Sequence, residues 1–413
     1  MRGSDRWKNP FVLLFLFLGI CPGGARAQQA VPAVPSASAE PSPNGAAAAR
    51  STSDVKDAAT KPASQNGGSP AAGYPNGDVN NKDADNPAIP GAQTVVVKDP
   101  KDIPQRKNSE YEDWSKPELT PGMKMEAVLL LKSEQDGFTR EMIAVQWRDL
   151  DPIDLWVIKP AGIKNPPVIL YLYSYPSDDL RYKDNRFCQF VTRNGFAAVG
   201  FVSAVTGQRR HDRPMRETFV NQLQEGLATS THDVQMVLNY LAKRGDLDMT
   251  RVGMWGDGSG ASIAIMAAAV DSRIKALDLL DPWGDWPEWL AKSTLVPETE
   301  RAGLLKPEYL KMVENLDPVN YLPKLKTQQV RLQDIRRGIT VTPDVVREKM
   351  ETAAPSNVSI MHYENTNAFL TDVASKGNGF DWIKERLGSV PLAHNGSPQN
   401  VTKASAEAKS PAR

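Results

Sequence analysis

The chain has 413 residues, with 49 basic side chains, 49 acidic side chains, four histidines and two cysteines. A chain with zero net charge lacks the excess of basic residues that binding to nucleic acids or anionic membranes requires. We therefore expect neither as a partner. Two cysteines exclude a disulfide-dense scaffold and a four-cysteine zinc site, and four histidines leave few candidates for histidine-dependent catalysis.

The N-terminal residues 1–27 have the pattern of a secretory signal peptide. Basic residues at positions 2, 6 and 8 precede an apolar run over 11–20, and Ala25 and Ala27 form a small-x-small cleavage site. The apolar run is too short to cross a bilayer, which takes roughly 20 residues. We therefore expect cleavage, a secreted or periplasmic mature chain, and no membrane partner.

Residues 28–109 are rich in Ala, Pro, Ser, Asn and Gly, and they lack apolar periodicity until Thr94. Such a composition cannot bury enough apolar surface to offset the entropy of ordering, which predicts a disordered linker. The tail at 389–413 has a similar composition. One folded domain over 110–388 remains.

Strands and helices alternate within this domain. Apolar runs predict strands over 124–132, 141–148, 154–159, 168–173, 196–202, 252–255, 275–280, 330–333 and 358–363. Helical spacing occurs over 184–194, 232–244, 261–270 and 379–387. This alternation predicts an α/β fold with a doubly wound, mostly parallel sheet covered on both faces. Residues 287–327, rich in Pro, Trp and Leu, interrupt it and predict a small cap insertion over the strand ends.

The stretch from His232 to Trp286 carries the most specific pattern. A helix leads to a turn with Asp246 and Arg251, then to a strand, the glycine-rich run GDGSG at 256–260, and a small-residue helix. This order resembles the α/β-hydrolase superfamily, and within it the dienelactone hydrolases, acetyl-xylan esterases and peptidase-like members. The resemblance covers about 124–387, and it implies the α/β-hydrolase fold and a Ser-Asp-His triad.

The residues at the triad positions differ from that family pattern. The family turn is G-x-S-x-G, and here glycines flank a middle position that is itself glycine. The positions of the nucleophile, acid, base and oxyanion loop are occupied by Gly258, Ile339, Asn367 and Tyr173, or by Gly338 and Ala368 for acid and base if the alignment shifts by one. Without a hydroxyl and a histidine the family route to an acyl-enzyme is closed. We therefore expect a pseudohydrolase that acts as a binding or scaffold domain.

A displaced triad is the alternative. Ser259 lies one position late in the turn, Asp281 follows the strand over 275–280, and His211 lies in the loop after the strand over 196–202. Because the carboxyl ends of parallel strands meet at one sheet edge, these three side chains could form an active serine hydrolase of ester or peptide bonds. The competing interpretation is structural, with Ser259 capping a helix, Asp281 stabilising a turn and His211 as an ordinary loop residue.

A ligand site has its own candidate residues. Gly256 and Gly260 bound a turn at a helix N-terminus, where free backbone N–H groups favour an anion, and Arg209 and Arg210 could add positive charge. Trp283 could line a pocket. Alternatively, the arginines form a solvated face and the tryptophan packs the insertion. These residues predict a small-molecule ligand, anionic if the arginines contact it. Residue spacing predicts no metal site and no cofactor, and it leaves the oligomeric state open.

Overall fold

The computed structural model of the chain describes residues 94–96, 112–148, 151–173, 180–205, 222–326, 328–337, 342–375 and 380–388. All of them belong to one compact unit. Among these residues, no helix has both the length and the apolar character needed to cross a membrane.

The described residues form a ten-stranded sheet in the order β1-β2-β3-β4-β6-β5-β7-β8-β9-β10. The strands are β1 Thr94–Val96, β2 Glu126–Gln135, β3 Phe138–Gln146, β4 Ile153–Pro160, β5 Pro167–Leu172, β6 Ala197–Gly200, β7 Asp248–Asp257, β8 Ile274–Leu280, β9 Gln329–Ile335 and β10 Ser359–Tyr363. Neighbours among β1 to β4 pair antiparallel, as do β4 and β6. The six strands β5 to β10 are parallel, so the predicted mostly parallel sheet is confirmed.

Helices cover both faces of this sheet. They are α1 Asn185–Thr192, α2 Leu223–Arg244, α3 Ser259–Val270, α4 Trp286–Lys292, α5 Glu298–Leu304, α6 Pro307–Val313, α7 Asp344–Ala353, α8 Thr366–Ser375 and α9 Asp381–Leu387. One core cluster joins a sheet face to α2, α3 and α7, and a second joins the other face to α1, α8 and α9. The central strands β5 and β6 are buried throughout, as two covered faces require.

The insertion between β8 and β9 consists of α4, α5, α6 and the 3₁₀ turns Glu314–Leu316, Pro318–Asn320 and Leu322–Lys324. It packs against α2, α3 and α7. The carboxylate of Asp317 holds its start, because it accepts hydrogen bonds from the backbone N–H groups of Asp285 and Trp286. The insertion therefore packs along the helical layer of one face.

Two element boundaries also differ from the predictions. Thr94–Val96 falls within the segment predicted as linker, yet it pairs with β2, because an edge strand depends on its partner more than on local periodicity. The helix predicted from residue 232 begins at Leu223. The early turns of this helix contain Ser and Thr residues, which are also common at helix N-caps. Inside the helix, Ser230 and Thr231 instead donate hydrogen bonds to carbonyls four residues earlier.

The order of the strands defines a crevice at the carboxyl edge of the sheet. From β5 the chain proceeds to β6 on one side, and from β7 it proceeds to β8 on the other side. Neighbouring strands whose connections diverge in this way leave a gap beyond their carboxyl ends, where ligands bind in open α/β sheets. We therefore expect a site among the residues that follow β5 and β7.

Candidate functional site

The turn between β7 and α3 has an unusual backbone at its apex. Gly258 has φ 51° and ψ −114°, a conformation that side-chain-bearing residues adopt only with strain. Its N–H donates a hydrogen bond of 2.9 Å to the carbonyl of Leu280, which fixes the turn to the end of β8. This amide is therefore already paired, and the ligand-facing N–H groups expected in the turn do not include it.

The two outer glycines of the turn are required for a different reason. A Cβ atom on Gly256 would lie 2.6 Å from Ala261 Cα, and one on Gly260 would lie 2.2 Å from the carbonyl oxygen of Leu172. Both distances are far below van der Waals contact and involve backbone atoms. The two outer glycines of GDGSG are thus required by the close packing of β7, α3 and β5.

No protein-family model and no curated protein matches the sequence. Among solved structures, acetyl xylan esterase 1 from Thermoanaerobacterium sp. JW/SL YS485 is similar with a TM-score of 0.50 and 17% identity, over 64% of this chain and 89% of that chain. The chain has the α/β-hydrolase fold. At this level of identity the similarity establishes the fold and leaves the reaction open.

Other structures with the α/β-hydrolase fold are also similar to this chain. An acetyl xylan esterase from Paenibacillus sp. R4 has a TM-score of 0.47 and 16% identity, over 64% of this chain and 89% of that chain. An S-formylglutathione hydrolase from Agrobacterium tumefaciens has a TM-score of 0.47 and 13% identity, over 63% of this chain and 99% of that chain.

In α/β-hydrolases the strained turn residue after the central strand carries the nucleophile. In this chain that residue is Gly258, and the next residue, Ser259, is the first residue of α3. Ser259 is fully buried. It follows the N-cap position of the helix, which is Gly258. The turn therefore presents no exposed hydroxyl at its apex.

Tyr173, Arg181 and Asp257 lie together on one side of the crevice. The guanidinium carbon of Arg181 lies 3.3 Å from the centre of the Tyr173 ring, which directly follows β5. Burial raises the pKa of Asp257, at the end of β7, to about 7, while the positive charge of Arg181 acts in the opposite direction. Tyr173, which the sequence predicted at the oxyanion-loop position, thus has a cation stacked on its ring. The sequence did not indicate Arg181, because only the folded structure places the loop after β5 opposite β7.

Asp281 lies directly beyond β8, next to the elbow. Its backbone φ is 48° and its side chain is buried, with Oδ1 accepting a hydrogen bond from the N–H of Ile335 at 3.3 Å. Burial and the neighbouring carboxyl of Asp334 raise the pKa of Asp281 well above its usual range. Its described hydrogen bonds join the end of β8 to β9.

One predicted site residue is exposed, and several others lie outside the described residues. Asn367, at the base position, is exposed on α8. The residues outside the described part of the chain are Ile339 at the acid position, His211 of the displaced triad, and the two loop arginines Arg209 and Arg210. The structure therefore places Ser259 and Asp281 near one turn and leaves their assignment as a triad with His211 untested.

Trp283 belongs to the packed core. It is 1% exposed, and its ring centre lies 4.7 Å from that of Trp289. Its backbone N–H donates to the hydroxyl of Ser262, and that hydroxyl contacts its carbonyl at 2.7 Å. Its position matches the packing interpretation, and nothing in it supports the predicted contact with a ligand.

Proposed function

We propose that this chain is an exported α/β-hydrolase-fold protein that does not hydrolyse through a serine acyl-enzyme and acts as a binding or scaffold domain. One observation carries the proposal. The apex of the elbow is Gly258, in the strained conformation that in this fold presents the nucleophile, and it has no side chain to react.

The surroundings of the elbow support this proposal. Ser259, the next residue in the chain, is fully buried in the first turn of α3. Asn367 occupies the base position, and an amide cannot take a proton near neutral pH. The glycines at 256 and 260 keep the turn sterically tight although its reactive group is missing. The packing constraint on the turn is thus separate from any chemistry.

The ligand site in this proposal is the crevice beyond β5 and β7. It offers the ring of Tyr173, the guanidinium of Arg181 and the carboxyl of Asp257. An aromatic ring with one cation and one carboxyl suits a small polar ligand. Asp257 disfavours the anionic ligand predicted from Arg209 and Arg210, because a carboxylate beside the turn repels an anion.

A fluorophosphonate probe tests the absence of the serine mechanism. We expect the purified mature protein to form no adduct and to turn over no p-nitrophenyl ester, because the apex lacks a hydroxyl. Intact-protein mass spectrometry measures the adduct, and a serine hydrolase of the same fold serves as the positive control.

An adduct that maps to Ser259 and disappears in Ser259→Ala would overturn the proposal in favour of an active serine hydrolase. Loss of that adduct in His211→Ala would identify the displaced base. Conversely, labelling of Gly258→Ser but not of the wild type would support the view that the glycine alone abolishes reactivity.

Ligand binding is tested by a thermal-shift screen with small anions, neutral sugars and amines. We expect ligands of the crevice to stabilise the wild type more than Arg181→Ala, since Arg181 lines that crevice. Arg209→Ala/Arg210→Ala tests the anion prediction. If anions shift this variant and the wild type equally, the two arginines do not bind them.

Export rests on residues 1–27, outside the described part of the chain. Expression with the native N-terminus in a secreting host, followed by mass spectrometry of the mature product, tests this part. We expect the mature chain to begin at Gln28, directly after the small-x-small site. A product that retains its first 27 residues in the cytoplasm would contradict export.

A further inference from the structure

Three side chains near the far edge of the sheet have the composition of a metal site. They are Asp334 in β9, Glu351 in α7 and His362 in β10. One candidate ligand atom from each lies within 4.8 Å of the other two. Sequence spacing predicted no metal site, because these residues are far apart along the chain and have no common motif.

The fold brings the three together through strand register and helix packing. Asp334 and His362 are direct partners in the parallel pairing of β9 and β10, so their side chains stand side by side on one face. Leu332, two residues before Asp334, shares that face and packs in the same core cluster as Met350 of α7. Glu351, the next residue of α7, contacts His362.

The imidazole of His362 is close to both carboxyls. His362 Nε2 lies 2.8 Å from Glu351 Oε1 and 3.8 Å from Asp334 Oδ2. The imidazole is 40% exposed and the Glu351 side chain is 28% exposed. Solvent can therefore reach the group from outside, and an ion bound there could keep water ligands.

The buried carboxylate is the second, independent observation. Asp334 is only 3% exposed, and its Oδ2 is buried without a hydrogen-bond partner among the described residues. A buried acceptor without a partner is costly, and a cation at this point would satisfy it. This oxygen is also the Asp334 atom that lies 3.8 Å from the imidazole.

The charges of Arg347 and Arg336 act on Asp334, but neither residue is a hydrogen-bond partner of its Oδ2. The guanidinium of Arg347 donates to the carbonyl of Thr342 and to the carboxylate of Asp344, at the other end of α7. Arg337 pairs with Glu364 at 3.6 Å, where both side chains are largely exposed.

We propose that Asp334, Glu351 and His362 bind one divalent transition-metal ion, with Zn²⁺ or Mn²⁺ as the best match. Two carboxylate oxygens and one imidazole nitrogen suit these ions, whereas Mg²⁺ and Ca²⁺ prefer oxygen ligands alone. Asp334 and His362 lie two and three strands away from the elbow strand β7 in the order of the sheet, so this site does not depend on the function proposed for the elbow.

A proton is the competing occupant. Burial and the carboxyl of Glu351 raise the pKa of Asp334 to about 7, which fits a proton held between the two carboxyls. A metal ion would displace that proton on binding. Measurement of metal binding itself distinguishes the two occupants.

Isothermal titration of the tag-free chain with ZnCl₂ and with MnCl₂ in a non-chelating buffer at pH 7.5 tests the site. We expect one ion per chain, and at least about tenfold weaker binding in His362→Ala and in Glu351→Gln. Co²⁺ adds a spectroscopic readout, because its visible absorption bands should shift when the imidazole ligand is removed.

Glu348→Gln is the matched control, since Glu348 lies on the same helix and is exposed. We expect it to bind like the wild type. His362 and Glu351 are partly exposed, so their variants should fold, and circular dichroism checks this. No saturable binding by the wild type, or binding that is unchanged in both folded ligand variants, would overturn the proposal.

Discussion

The elbow at 256–260 and a buried ionic network near the N-terminal end of the domain form opposite combinations of geometry and chemistry. The elbow has a strained, closely packed backbone and no reactive side chain at its apex. The network has a histidine, two carboxylates and an arginine, the residue types typical of an active site. Its short contacts are ion pairs and hydrogen bonds that hold the fold together. Residue type and unusual geometry are therefore separate indicators, and neither alone marks an active site.

The network joins the segment before β2 to α2. Arg148 contacts Glu112 at 2.5 Å and Asp233 at 2.7 Å, and His232 Nδ1 lies 2.7 Å from Glu112. The second ring nitrogen of His232 lies 3.0 Å from the carbonyl of Lys116. Burial alone would raise the pKa of Glu112, but hydrogen bonds with His232 and Arg148 lower it to about 2. With both ring nitrogens engaged, His232 has a structural role.

The largest effect should come from the closest packing in the elbow. Gly260→Ala places a Cβ against the backbone carbonyl of Leu172, and neither backbone can move without separating α3 from β5. We expect a loss of at least about 4 kcal/mol in the free energy of unfolding, or no folded protein at all. Urea denaturation followed by circular dichroism measures this loss.

Gly303→Ala is the control for that substitution. Gly303 lies in α5, and a Cβ there would meet no atom within 4 Å. We expect it to stabilise the protein by up to about 1 kcal/mol, as alanine does in a helix. Equal stability of the two variants would show that the elbow is not closely packed.

The network should give the next largest effect. Arg148→Ala removes the buried guanidinium that pairs with the carboxylates of Glu112 and Asp233, for which we expect a loss of about 3 to 5 kcal/mol. Lys311→Ala, which breaks an exposed pair with Glu314, should cost under about 1 kcal/mol. Denaturant titration of both variants at pH 7 compares the two losses.

The pH dependence sharpens this prediction. Glu112 has a depressed pKa in the folded state, so its stabilising contribution is present above about 4.5 and is lost as the pH falls towards about 2. In Arg148→Ala the acid loss between these values should be smaller. An acid dependence identical to that of the wild type would contradict the role of Arg148 in holding the Glu112 charge.

The smallest effect concerns Asp257. Burial raises its pKa from 3.8 to about 7, so the wild type loses stability as the pH rises through this interval, because the folded state resists ionisation. Asp257→Asn should be more stable than the wild type above pH 7, by about 1 to 3 kcal/mol, and equal to it below about pH 4. Thermal unfolding from pH 4 to 8 measures the difference. Lower stability of the variant at pH 8 would indicate that the carboxylate makes a favourable contact instead.

Local sequence patterns predicted those parts of the molecule that depend on local packing. The alternation of apolar runs predicted the parallel sheet, and the glycine spacing at 256–260 predicted a close turn. Arg181 was missed because its position against Tyr173 depends on the chain returning past the crevice. Asp334, Glu351 and His362 were missed because strand register and one helix crossing bring them together. The separations of these three residues along the chain follow neither a helical nor a strand period.

The tryptophans of the insertion also have an optical consequence. Trp286 and Trp289 have ring centres 5.9 Å apart and perpendicular planes, and Trp283 completes the group 4.7 Å from Trp289. Indoles held rigidly at such short range give near-ultraviolet circular dichroism that disappears once side chains become mobile, even when helices persist. The protein thus contains an intrinsic reporter of whether its insertion is docked, readable without any label.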